Sequence, residues 1–193
     1  MEERNAPEPP RSAGEKFMSQ APPMLPDVQE TALRVTPRGG VAGTEVQVRM
    51  TRLPPNTGIL IGFGGIGSPH EILSQTESDA DGVISVTVKV PAWVERNTHY
   101  LFYWAFADQR PRTFSDAFLV TGPDGIVRVE GRITDEGGAC TAMRGAHDAL
   151  FTLTGNTGTV ATGDRVVVEA TVAEASTCRQ GTTLAVRTLR IAS

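Results

Sequence analysis

The sequence predicts an all-β protein in two folded parts, a two-sheet sandwich followed by a small closed barrel, behind a disordered N-terminal tail. Three observations predict it. Apolar residues recur with period two in short bursts, which places one face of each segment in a core and the other in water. Turn residues separate the bursts, and 20 Gly and 13 Pro in a Val- and Thr-containing chain of 193 residues supply them. Prolines also crowd the first thirty positions, where large apolar residues are few.

Residues 1–30 read as a tether. They carry six acidic residues against three basic ones, and hold Pro7, Pro9, Pro10, Pro22, Pro23 and Pro26. Proline fixes φ and has no N–H to donate, so neither a helix nor a central strand runs through such a stretch. The expectation is an extended spacer that lifts the folded parts off a membrane or surface; a terminus with no role is the plain alternative. Met1-Glu2-Glu3 lacks the basic and apolar regions of a signal peptide. No cysteine stands near Met1 to accept a lipid, so anchoring rests on what is encoded upstream.

From Leu33 to Thr121 the alternation is clear. Val46, Val48 and Met50 share a face, as do Ile59, Ile61 and Phe63, then Ile84, Val86, Val88 and Val90. Tyr100, Phe102, Trp104 and Phe106 follow as core residues, and Phe118 and Val120 close the set. About seven strands at this spacing fit a two-sheet sandwich. Asp81-Gly82 predicts a tight hairpin turn, since glycine accepts the positive φ that such turns demand. Opposite the aromatic burst, His99, Leu101, Tyr103 and Ala105 form a face unusually apolar for one turned to water. With Trp93, the residues His99, Leu101 and Tyr103 are the candidate interaction surface; packing on the second part is the simpler use of the same face.

Two motifs here imitate chemistry. Gly62-Phe63-Gly64-Gly65-Ile66-Gly67 matches G-x-G-x-x-G, but a phosphate site needs a helix opening straight after the last glycine, and Ser68-Pro69-His70 follows. A turn between strands is the better reading. Asp79-x-Asp81-Gly82 opens like a calcium loop, yet the position that requires a bidentate Glu is Val90.

Val35-Thr36-Pro37, Gly39-Gly40, Gly43-Thr44 and Gly62-Phe63-Gly64-Gly65 resemble the IPT/TIG type of immunoglobulin-like domain over residues 31–121. Asp79-Ala80-Asp81-Gly82 before a Val-rich strand ending at Pro91 is similar to many bacterial surface immunoglobulin-like modules. The resemblance implies an immunoglobulin-like β-sandwich that serves as spacer, interaction platform or accessory domain.

After Gly122-Pro123 the pattern restarts over residues 122–193. Val127, Val129 and Ile133 alternate, then Ala149, Phe151 and Leu153, then Val166, Val168, Ala170 and Val172. Leu184 and Val186 fall one step out of phase with Leu189 and Ile191, which predicts a β-bulge near Arg187-Thr188. Four or five strands in about seventy residues without a clear helix fit a small closed barrel. Val127-x-Val129-x-Gly131, Phe151-Thr152-Leu153-Thr154-Gly155, Gly163-Asp164-x-Val166-x-Val168, Cys140 and Cys178 are similar to OB-fold-like domains of bacterial exported proteins and lipoproteins.

Cys140 and Cys178 are the only cysteines. Both sit in predicted loops, and a domain this small benefits from a staple, so one disulfide is the expectation, and with it an oxidising compartment. Two buried free thiols are the alternative. A zinc site falls short, because two Cys and the nearby His147 make three ligands, not four.

Nucleophilic catalysis needs a base beside Ser or Cys and a group to orient it. No G-x-S-x-G elbow is present, and His70, His99 and His147 are scattered; His147-Asp148 reads as a loop pair. A formal charge of −4 gives no electrostatic case for nucleic acid, and no apolar run approaches the roughly 18 residues of a membrane helix. Arg128, Arg132 and Arg165 form a candidate barrel face, since they fall on strand faces. The expectation is a non-enzymatic extracytoplasmic protein of the bacterial cell envelope, in the periplasm or at the cell surface. It would bind or scaffold a protein partner, alone or as subunit of a larger assembly, without cofactor or metal. The rival is a glycan- or small-ligand-binding accessory module acting through the barrel.

Overall fold

A computed structural model describes residues 33–66, 69–178 and 180–192; the tail expected at residues 1–30 lies outside them. The chain is all-β. Strands β1 (Arg34–Thr36), β3 (Glu45–Met50) and β6 (Ile84–Lys89) form one sheet of a sandwich. The other runs β2 (Gly39–Gly40), β9 (Phe118–Val120), β7 (His99–Ala105), β4 (Gly58–Gly64), β5 (His70–Glu77), with β8 (Pro111–Phe114) paired to the end of β7. The second part is a closed barrel in the order β10 (Ile126–Thr134), β11 (Thr141–Arg144), β12 (Leu150–Gly155), β14 (Thr182–Ile191), β13 (Arg165–Val172). β12 and β14 run parallel. A five-stranded barrel of this order is the OB-like Greek key.

Alternation decides what each strand buries. In β3, Val46, Val48 and Met50 are fully buried while Glu45, Gln47 and Arg49 face water. The sandwich core adds Ile59, Ile61 and Phe63 from β4 and Tyr100, Phe102 and Trp104 from β7. Phe63 is its centre, with ring centroids 4.8 Å from Phe102 and 5.2 Å from Tyr100. The barrel core is built from Val127, Val129, Ile133, Met143, Phe151, Leu153, Val166, Val168, Ala170 and Leu184.

The two cores meet through β9. Phe118 and Val120 point into the sandwich, while Ala117 and Leu119 belong to the barrel core. Polar contacts lock the seam. The Thr182 hydroxyl donates to the Ala117 carbonyl, and the Arg128 N–H donates to Asn97 Oδ1 at 2.8 Å. Arg38 reaches across with its N–H on Glu174 Oε1 at 2.9 Å and its guanidinium on the Gly181 carbonyl at 3.2 Å.

The bulge falls where the phase slip predicts it. Glu169 pairs with Thr188 and Ala170 with Val186, leaving Arg187 as the extra residue. Cys140 and Cys178 form the disulfide, joining the loops ahead of β11 and β14 across 38 positions. Closing a loop of that length stabilises by about 4 kcal/mol on the chain-entropy model. Gly62-Phe63-Gly64 continues β4 in regular pairing with β7, and the chain then passes into β5, not into a helix.

One expectation is corrected. Asp81-Gly82 does not close a hairpin, because β5 pairs with β4 whereas β6 pairs with β3. The turn carries the chain from one sheet to the other. Its chemistry is still that of a tight turn: the Asp79 carboxylate accepts the N–H groups of Asp81 (3.0 Å) and Val83 (2.8 Å). Gly82 takes φ +69°, and a Cβ there would strike the Leu53 carbonyl. Local turn residues cannot specify the pairing partner; that depends on which sheet each apolar face must cover.

Candidate functional site

Three surfaces bring sequence-predicted residues together. The first is a cleft of 360 Å³ at the seam, and Trp93, Glu95, Thr98, His99, Tyr100 and His147 line it. Trp93 and Glu95 come from the segment between β6 and β7. His99 and Tyr100 open β7, and His147 comes from a single 3-10 turn, Ala146–Asp148. His147 and Asp148 both take left-handed φ, 51° and 63°, a conformation uncommon outside glycine that persists only where surroundings hold it.

Trp93 is held from several sides. Its Nε1–H donates to Glu71 Oε2 at 2.7 Å, and its ring packs edgewise on Tyr100 at 5.4 Å and tilted on Phe63 at 5.8 Å. It still keeps 37% of its surface in solvent. The Tyr100 hydroxyl accepts the Glu95 N–H at 3.1 Å, which fixes the strand entry beside it. His99 packs across the seam against His147 at 5.9 Å and Phe151 at 6.1 Å. Burial, and secondarily the neighbouring His147, lowers the pKa of His99.

The second surface is the outer face of the β8–β7–β4–β5 sheet. Register places Phe114, Tyr103, Gly62 and Ile72 in one row across four strands. The Tyr103 ring lies over Gly62, where any side chain would collide with it. It is flanked by His70 at 5.7 Å and Phe114 at 6.0 Å. The consequence is a correction to the predicted surface: Tyr103 is only 4% exposed, because Gly62 leaves the space its ring fills. Burial raises the pKa of its phenol. The exposed apolar groups of the row are instead Phe114 at 50% and Ile72 at 39%. Leu101 is half-buried on the same face. Of the four predicted residues, then, Trp93 and His99 meet at the seam cleft, and Tyr103 and Leu101 belong to the sheet face.

The third surface is on the barrel. Arg132 pairs with Arg165 on one side and Arg144 on the other, so three guanidinium groups project from one row of β11–β10–β13 beside an open groove of 440 Å³. Like charges placed opposite one another repel, and the neighbours relieve this. Arg144 donates twice to Glu136, at 2.6 and 2.7 Å, and Arg132 donates to the Gly163 carbonyl. The hydrogen bond from Arg144 is the main cause that lowers the pKa of Glu136. Arg128 does not join them; it lies nearer the seam with its guanidinium on Glu130 at 3.3 Å. Among the described residues, no aromatic side chain lines the groove.

Sequence reasoning missed Glu95, His147 and Arg144 as members of these surfaces. Only Glu95 carried a usable signal, as it stands two positions from Trp93 in the sequence. Among the described residues, no cluster of three or more His, Cys, Asp or Glu side chains is arranged to hold a metal ion. Nor is any helix long and apolar enough to cross a membrane.

No family model matches this chain, and no curated protein does. Among solved structures, macromomycin is similar over 48% of this chain and 100% of its own, with 19% identity and a TM-score of 0.39. The human OSCAR ligand-binding domain is similar over 84% of this chain and 97% of its own, with 16% identity and a TM-score of 0.30. Neither likeness is close enough to carry a site from one protein to the other.

Proposed function

We propose that this chain is a non-enzymatic, extracytoplasmic binding or scaffold protein of the bacterial cell envelope that holds a protein partner on the outer face of its sandwich. The observation that carries the reading is the row Phe114–Tyr103–Gly62–Ile72, in which a buried tyrosine packed on Phe114 lies between two exposed apolar side chains. Rigid aromatic anchors on a sheet face are the groups that dominate protein interfaces, because they bury large area at little cost in side-chain entropy. The Cys140–Cys178 bridge supports an oxidising compartment. The likeness of residues 31–121 to IPT/TIG domains, and of the barrel to exported OB-like domains, supports the envelope setting and the platform role.

A photo-crosslinking residue at Phe114 tests this in envelope extract, with the same residue at exposed Lys89 on the opposite sheet as control. The expected result is one discrete protein adduct from position 114, absent from position 89 and lost when Ile72→Asp is added. Identical adduct patterns from both positions, or none from either, overturn the reading.

A further inference from the structure

We infer that the seam cleft is a binding site for a neutral sugar ring, stacked on Trp93 and hydrogen-bonded by His99, His147 and Glu95. This goes beyond the protein-docking reading and stands apart from it, since none of these residues belongs to the Phe114–Ile72 row.

The argument begins with Trp93. An exposed tryptophan is costly to leave in water unless something covers it, and a solvated indole is ordinarily free to change rotamer. Here the indole is immobilised: Glu71 takes its N–H, and Phe63 and Tyr100 pack against the ring. What remains for the cleft is apolar surface held in a fixed position. Pre-organisation of that kind removes the ordering cost that binding would otherwise carry. A pyranose has an apolar face of C–H groups that covers an indole and a rim of hydroxyls that still needs partners.

The rim of the cleft supplies those partners. A neutral imidazole offers one donor and one acceptor, which matches a hydroxyl that does both, whereas a carboxylate or phosphate wants donors alone. His99 is kept toward its neutral form by burial and by His147. Glu95 lines the same cleft and adds an acceptor-only group, which repels anions and takes hydroxyl protons. The volume of 360 Å³ lies at the small end of ligand sites, which run from about 300 to 1,000 Å³, so one or two rings are the fitting size. The site also lies between two domains, where such pockets concentrate. The barrel groove, by contrast, has arginines but no ring to stack on. A sugar is therefore better served at the seam than on the barrel face.

The test uses the full chain and the two indole N–H signals in nitrogen-resolved NMR, since Trp93 and Trp104 are the only tryptophans. The probes are the methyl glycosides of glucose, galactose, mannose and N-acetylglucosamine. Each is titrated to about 100 mM, well above the Kd of about 1 mM that corresponds to weak specific binding. The expected result is a saturable shift of the Trp93 signal with at least one glycoside, while the buried Trp104 signal stays fixed. His147→Gln and Glu95→Gln should each weaken that binding by about tenfold, with Trp104 reporting that the variants remain folded. Absence of a saturable shift with every glycoside overturns the inference. So does saturation by tetramethylammonium in preference to all of them, which would make the cleft a cation site built on Trp93 and Glu95.

Discussion

The sandwich and the barrel fill their cores with different material. Phe63, Tyr100, Phe102, Trp104 and Phe118 give the sandwich five buried rings, each of which removes a large area from water. The barrel has Phe151 alone, surrounded by Val, Ala, Leu and Met, and it buries Thr152, Thr182 and Thr183 as well. Two devices make up the difference. The disulfide constrains the unfolded chain, and Ala117 and Leu119 enter the barrel core from a sandwich strand. A closed barrel of this size is stable here because its neighbour and a covalent bond complete it. The sandwich shows no comparable debt, as β3, β4, β6 and β7 bury one another without help from the barrel.

The largest expected effect tests that asymmetry directly. Leu119→Ala leaves the sandwich core untouched but opens a hole in the barrel core, at a cost of about 2–5 kcal/mol. Trp104 is buried in the sandwich core, so its indole N–H signal reports that part, whereas amide exchange in β12 and β14 reports the barrel. The exchange protection of the barrel should fall well before the tryptophan midpoint moves. Equal losses in both would make the two parts a single cooperative unit and erase the distinction.

Next in size is the bridge. Replacing Cys140 and Cys178 together by serine should cost about 2–4 kcal/mol, again read in barrel amide exchange. The same loss should follow from reductant added to the wild-type chain. A barrel equally protected with and without the bridge would mean that Leu119 and the seam suffice, and that the disulfide reflects the compartment more than a need of the fold.

The sequence was informative where the physics is local. Alternation in Val46-Gln47-Val48-Arg49-Met50 states which face is buried, and a slip of one step at Arg187 can only be absorbed by a bulge. The same logic failed wherever the decisive neighbour was distant in the chain. β5 was invisible because Leu73 is an extra residue opposite the Ile61–Gly62 step, which breaks the alternation of an edge strand. Tyr103 read as a surface residue because nothing near it announces that Gly62, 41 positions earlier, leaves room for its ring. The candidate site divided in the same way. Trp93 and His99 were marked by their type in an apolar segment, and Glu95 stands between them in the same sandwich segment, but His147 becomes their neighbour only when the barrel docks on the sandwich.

The smallest expected effect concerns the point where the two parts touch through imidazoles. His99 has its pKa lowered from 6.5, first by burial and then by His147. The folded protein therefore holds fewer protons at this position than the unfolded chain as pH passes below that value. Linkage then requires that stability fall as the medium is acidified from about pH 6.5 toward the depressed folded pKa, and that it level off below it. Among the described residues, the charged and titratable groups that share the two clefts with His99 are His147, Glu95 and Tyr100 on one side and Arg128 and Glu130 on the other. Thermal melts of the wild-type chain at about pH 7.5 and about pH 5.5 should show this loss, and His99→Gln should remove part of it, because glutamine does not titrate. A seam that opens in acid would expose Leu119 and Phe151 together, so the barrel amides should lose protection first. An unchanged pH slope in the variant would place the acid-sensitive group elsewhere and leave His99 as a packing residue between two rings.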